Sequence, residues 1–186
     1  MHMTTTREIV ACIEGEFVAV RALGDKALAQ MNVQQLHTCL DRETNSAAII
    51  VKHMAGNFRS RFTDFLTTDG EKPWRNRDQE FVDDFPQDEA GRERILATWQ
   101  AGWECVLGAI SPLTDADLTR VVTIRGQPHT VVRALSRSLA HAGYHTGQLM
   151  WCARTVVGSE QWKVITIARG ASANFNDGLG YSSNSS

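Results

Sequence analysis

Arg137-Ser138-Leu139-Ala140-His141-Ala142-Gly143-Tyr144-His145-Thr146-Gly147-Gln148 is the stretch on which the reading of the chain turns. On a helix, residues four apart lie about 40° from each other around the axis, so His141 and His145 point the same way. Val131, Leu135, Leu149, Cys152 and Val156 fall on or beside that arc, which turns the two imidazoles toward a core and away from bulk solvent. Buried imidazoles need partners. An HxxxH pair can present two nitrogens to one metal ion, although the Glu of the HExxH pattern is missing here. Thr130 suits an N-cap and Gly158 a stop, so this helix is predicted from Thr130 to about Val157.

Working outward, Ile49-Ile50-Val51-Lys52-His53-Met54-Ala55-Gly56-Asn57 carries a third imidazole on an apolar face. Its helix is predicted to start near Asn45, a good N-cap residue, to run through Ile50, Met54, Phe58 and Phe65, and to stop before Asp69-Gly70. Three neutral nitrogen donors from two facing helices would leave coordination positions open, the mark of a catalytic rather than a closed structural metal site. The candidate metal ligands are therefore His53, His141 and His145, with Asn57 and Gln148 as the amides that would support them or face a substrate. Gly143 and Gly147 are expected to let a neighbouring helix approach. The competing reading makes all three histidines hydrogen-bonded packing residues. His37 and His129 are expected to be solvated, Trp99, Trp103 and Trp151 to be core, and Tyr144 to be a packing residue or a proton donor. Arg133 and Arg137 are expected either to hold an anion or to form surface salt bridges.

The remaining elements follow from pattern. Thr5-Thr6-Arg7-Glu8 has capping-box form, and Ile9, Ile13, Phe17, Val20, Ala27 and Met31 continue at helical spacing to about Met31. Asp88 can cap a third long helix carrying Leu96, Trp99, Trp103, Val106 and Ile110, which ends near Ser111-Pro112. Residues 67–91 are polar and read as a long excursion, a kind of loop that is often functional. The run from Arg120 to Ile124 before Arg125-Gly126-Gln127-Pro128 suggests a short extended segment and a turn, not a sheet. The expected fold is all-α: a four-helix bundle with a long loop between helices two and three and a short extended segment before helix four. One domain is expected over 1–186, with its core at about 5–157 and a C-terminal extension at 158–186 in which only Trp162 to Ala168 looks able to pack.

Composition narrows the function. The 186 residues are 42% hydrophobic and 22% charged with a net charge of −2, which is globular and offers no broad cationic field for nucleic acid or anionic lipid. The apolar run Ala47 to Val51, which no other run exceeds, falls far short of the roughly 20 residues of a spanning helix. Cys12, Cys39, Cys105 and Cys152 form no CxxC pair, so a redox motif and a thiolate zinc knuckle are excluded and reduced thiols in a cytoplasmic protein are expected. No GxSxG, Walker loop or dinucleotide fingerprint occurs.

The pattern of His53-Met54-Ala55-Gly56-Asn57 with His141-x-x-x-His145-x-Gly147-Gln148 resembles the DinB/YfiT-like superfamily of metal-binding four-helix bundles, over most of the chain to about Val157. The resemblance implies one divalent metal, zinc, nickel, iron or manganese, on the three histidines, a bundle with a long crossover, and a homodimer. It further implies chemistry of the thiol S-transferase, thiol-dependent isomerase or metal-hydrolase kind. Asp69 to Asp78 and the tail from Gly170 to Asn176 mark a less characterised branch that departs from the thiol transferases. The leading expectation is a divalent-metal-dependent enzyme, a hydrolase or a thiol S-transferase, acting on an unidentified small molecule with a thiol as a candidate cosubstrate. No general base is evident, Asp64 lying about three turns from His53. The alternatives are a non-enzymatic metal-binding or stress-response bundle and a dimeric interaction protein.

Overall fold

The structure, a computed structural model, describes residues 6–181. Four long helices, α1 (Glu8–Leu28), α3 (Ala47–Phe62), α4 (Glu89–Ile110) and α5 (Val131–Val157), build the bundle, and a short helix α2 (Val33–His37) connects the first two. Helix α1 packs on α5 and α4, and α3 packs on α4 and α5, so the four close into a ring around one core. This is the all-α four-helix arrangement expected from the periodicity, with the long loop between α3 and α4.

Each bundle helix begins where a side chain satisfies its free amides. Ser46 accepts from the Ile49 N–H, Asp88 from the Gly91 N–H and Thr130 from the Arg133 N–H. The α3 cap is thus one residue beyond Asn45, and α3 ends at Phe62 rather than reaching Phe65. Helix α1 departs further from expectation: Glu8 is its first residue, Arg7 at the N-cap makes no side-chain cap bond, and Thr5 of the expected capping box lies outside the described residues. The cap comes from elsewhere, since Asp115 Oδ1 accepts the Val10 N–H at 2.9 Å. Helix α5 stops at Gly158, whose φ of +80° suits a residue without a Cβ.

The interior is filled by Phe17 of α1, Met54 and Phe58 of α3, Trp103 of α4, and Leu135 and Leu149 of α5, none more than 1% exposed. Burying each contributes roughly 1.5–3 kcal/mol or more. Glycine allows close helix approach at Gly102, where a Cβ would crowd the Ala55 backbone, and at Gly24, where it would overlap Trp99. Gly143 and Gly147, expected in that role, have open space around them instead.

The segment before α5 is a hairpin, not an isolated extended run: β1 (Val121–Ile124) pairs antiparallel with β2 (Gln127–Thr130). Its turn, Arg125-Gly126, has φ of +56° and +70°, the left-handed pair of a tight hairpin turn. Asp69 fixes that turn to the long loop by accepting the N–H groups of Arg125, Gly126 and Glu71 at 2.7–2.8 Å. Those backbone bonds, from Glu71 and Gly126 foremost, hold the half-buried Asp69 carboxyl down to about 2. Beyond α5, Trp162 and Ile165 pack on the core, and a helix α6 (Ser172–Gly178) with no buried residue follows. Among the described residues no helix is long and apolar enough to cross a membrane.

Candidate metal centre

His53 stands mid-way along α3, while His141 and His145 occupy successive turns of α5. The bundle brings all three together: one ligand atom from each lies within 4.8 Å of the others. Ring centroids are 4.5 Å apart for His141 and His145, 4.7 Å for His53 and His145, and 5.4 Å for His53 and His141. His53 and His145 are buried and His141 is partly buried.

Hydrogen bonds orient two of the rings. Glu80, in a 3₁₀ turn (Asp78–Phe81) of the long loop, places Oε2 2.9 Å from His53 Nδ1. An ionised carboxylate only accepts, so a proton sits on Nδ1, and Nε2 is the nitrogen left to offer a lone pair to a metal. Arg75, its side chain 2% exposed, grips the same carboxylate with Nε at 2.8 Å and Nη2 at 2.9 Å. Burial by itself would raise the Glu80 carboxyl, but the bonds from His53 and Arg75 outweigh it and hold the group below the ordinary carboxylate range. On the other helix, His145 Nδ1 donates to Gln148 Oε1 at 2.7 Å, and Gln148 Nε2 donates to the Tyr144 hydroxyl at 3.1 Å. Gln148 is thus hydrogen-bonded to a triad member. Asn57 lines the same cavity without bonding to the triad. Asp64 is exposed and lines no part of it.

His141 and His145 are held neutral, as nitrogen ligands must be. His141 is pushed down to about 3 by burial first and then by His145 and His53, and His145 to about 4 by burial and then by His53. An unfolded chain would protonate both near their ordinary value of about 6.5, so the unfolded state binds more protons below that pH. Stability of the metal-free protein is accordingly full above about pH 6.5 and falls as pH drops toward 4 and then 3. Thermal melts across pH 8 to 4 should show this decline, and His141→Gln/His145→Gln should flatten it. An unchanged slope in the variant would refute the neutral assignment.

A cavity of about 410 Å³ opens over the triad, lined also by Asn57, Tyr144, Gln148 and Arg137. Arg133, the other arginine considered for an anion, is exposed and does not line it. Trp99 and Trp103 are core residues, whereas Trp151 is 61% exposed. Two further expectations fail. His37 is not solvated but inserted against Asp83 with Nδ1 2.7 Å from Oδ2, and His129 is buried on the inward face of β2.

Glu80 and Arg75 escaped sequence reasoning because they lie among many charges of an aperiodic loop, and only the fold shows which one reaches His53. The nearest sequence signal is Gly56, one turn-face away from His53. A Cβ there would overlap the Glu80 carboxylate, which is pinned between His53 and Arg75 and cannot swing aside without breaking a bond. Gly56→Ala should therefore weaken metal affinity by about tenfold or more through loss of His53 support, measured by competition against a chromophoric chelator. Affinity equal to the parent would show that Glu80 does not orient His53.

The donor set fits a divalent cation. Two rings have their Nδ1 protons engaged and Nε2 free, and His141 Nδ1 is buried with no hydrogen-bond partner, an uncompensated group that costs roughly 1–3 kcal/mol. Compared with models of known families, residues 4–171 match the one described as "Protein of unknown function (DUF1572)". The match covers most of the chain, and the chain belongs to that family. No curated protein and no solved structure matches.

Proposed function

We propose that this DUF1572 chain is a DinB/YfiT-like metal-dependent enzyme acting on a small molecule, with His53, His141 and His145 holding one divalent ion. The observation that carries the reading is the convergence of three imidazoles at the floor of a cavity, their donor atoms within 4.8 Å of one another. An ion on three neutral nitrogens supplies open coordination positions and a positive charge that polarises a ligand. Imidazoles accept zinc, nickel, iron(II) and manganese(II), so each belongs in the test.

The chain's own residues then divide the work. Glu80 holds the His53 Nδ1 proton, and Arg75 holds Glu80. Both Glu80 oxygens are engaged, so it positions His53 and does not take a proton from substrate. Among the described residues no carboxylate lines the cavity. Ionisation of a nucleophile entering it, a thiol or a water molecule, would therefore rest on the charge of the bound ion and not on a carboxylate base. Both thiol transfer and hydrolysis fit that arrangement, and the assay separates them. Tyr144 contributes a hydroxyl to the same cavity, oriented by Gln148.

The test is turnover by protein loaded with each metal, with glutathione or cysteine plus an aryl halide, and separately with a p-nitrophenyl ester. Metal-dependent thiol consumption that His141→Ala/His145→Ala abolishes supports the transferase. Metal-dependent ester cleavage without thiol supports the hydrolase. A second reading has one specific support, namely that the triad joins α3 to α5, so an ion would cross-link two helices. It predicts metal-dependent melting with no turnover in either assay.

A further inference from the structure

The cavity above the triad is cationic in a chain whose net charge is −2. Arg61, Arg75, Arg77, Arg125 and Arg137 all line it, and no Asp or Glu does. Two carboxylates stand behind these guanidinium groups: Glu71 pairs with Arg61, Arg75 and Arg125, and Glu80 pairs with Arg75. Five positive groups against two negative ones leave an excess of three.

The pairing also divides the arginines by role. Arg61 and Arg75 have side chains 11% and 2% exposed and are fixed by Glu71 and Glu80, so they form a rigid positive wall. Among the described residues Arg77 and Arg137 have no carboxylate within salt-bridge distance. Arg77 lies with its guanidinium 4.9 Å from the Phe81 ring centre, and that same ring stacks on His53 at 4.8 Å. Arg137 stands one helical turn before His141 on the same face of α5. Both unpaired forks therefore border the triad from different elements, one from the long loop and one from the helix.

We propose that this cavity selects small molecules carrying an oxyanion, a carboxylate or a phosphate, received by Arg77 and Arg137 with the reacting end directed to the triad. A guanidinium fork matches the paired oxygens of either group. The surplus charge in a recessed site raises the local concentration of anions. The inference deepens the metal-enzyme reading and rests on it for where the reacting end lies, but the oxyanion grip itself belongs to the arginines.

The experiment titrates succinate, inorganic phosphate and neutral succinamide into the full chain by calorimetry at constant ionic strength, with the protein both zinc-loaded and metal-free. Succinate or phosphate should bind both forms, succinamide neither. Arg77→Gln/Arg137→Gln should weaken anion binding roughly tenfold or more while zinc stoichiometry and the circular dichroism spectrum stay unchanged. Arg77→Lys/Arg137→Lys, which keeps charge and removes the fork, should fall between. Stronger binding of succinate assigns a carboxylate substrate, and stronger binding of phosphate a phosphate ester. The proposal is overturned if neither anion binds, if succinamide binds as well as succinate, or if the Arg→Gln variant binds like the parent. Anion binding that requires zinc and ignores the arginines would overturn the proposal while leaving the metal reading intact. Arginine-dependent binding in a chain that takes up no zinc would do the reverse.

Discussion

Glu80→Ala is expected to weaken metal affinity by about 10- to 100-fold and to lower folding stability by about 3–5 kcal/mol. Both effects come from one carboxylate. It holds the His53 tautomer that leaves Nε2 free, at 2.9 Å, and it neutralises Arg75, whose side chain is 2% exposed. Removing it strands a buried guanidinium and releases the His53 ring. Glu71, 3.5 Å from Arg75 Nη1, is a weaker remaining partner and recovers only part of the loss. Glu80→Gln separates the two effects, because its amide oxygen can still accept the Nδ1 proton while its charge is gone. It should keep more metal affinity than Glu80→Ala. Chelator competition and denaturant melts of the two variants read this directly, and equal metal affinity in parent, Gln and Ala variants would remove Glu80 from the account of the site.

Trp103→Ala should cost about 3–5 kcal/mol, a large share of the roughly 5–15 kcal/mol that holds a typical domain folded. Trp103 is 0% exposed and sits among aromatic rings from three helices, with centroids 4.8 Å from Phe58, 5.5 Å from Trp99 and 6.4 Å from Phe17. Its neighbour Gly102 brings α4 against Ala55 of α3, so the cavity left by truncation cannot close by helix movement without a clash. Trp151→Ala is the matched control. At 61% exposure it should shift stability by no more than about 0.5 kcal/mol. Guanidinium unfolding followed by far-ultraviolet circular dichroism compares them, and similar costs at the two positions would mean that Trp103 is not central to the core.

Both effects bear on how much of this molecule can be read from its sequence. The helix carrying His141 and His145 was legible in full, because 27 residues of unbroken periodicity between a capping Thr130 and a terminating Gly158 leave little alternative. His53 was legible as a third inward imidazole for the same reason. What escaped is tertiary. Glu80 reaches His53 across 27 residues of chain, Asp115 caps α1 from 105 residues away, and Asp83 draws His37 out of solvent. None of these pairings leaves a periodic trace. Helices α2 and α6, with five and seven residues, are too short for a 3.6-residue pattern to register. The polar stretch 67–91 was recognisable as a long excursion, yet its composition did not say that Glu80 would turn inward to His53 while Arg75 and Arg77 lined the cavity.

The most direct measurement is metal content by plasma mass spectrometry, on the full chain purified without a polyhistidine tag, for the parent and for His141→Ala/His145→Ala. The account predicts close to one divalent ion per chain in the parent, as isolated or after reconstitution with zinc, nickel, iron(II) or manganese(II), and none in the double variant. A parent that binds none of these ions, or a variant that binds as much as the parent, would contradict it.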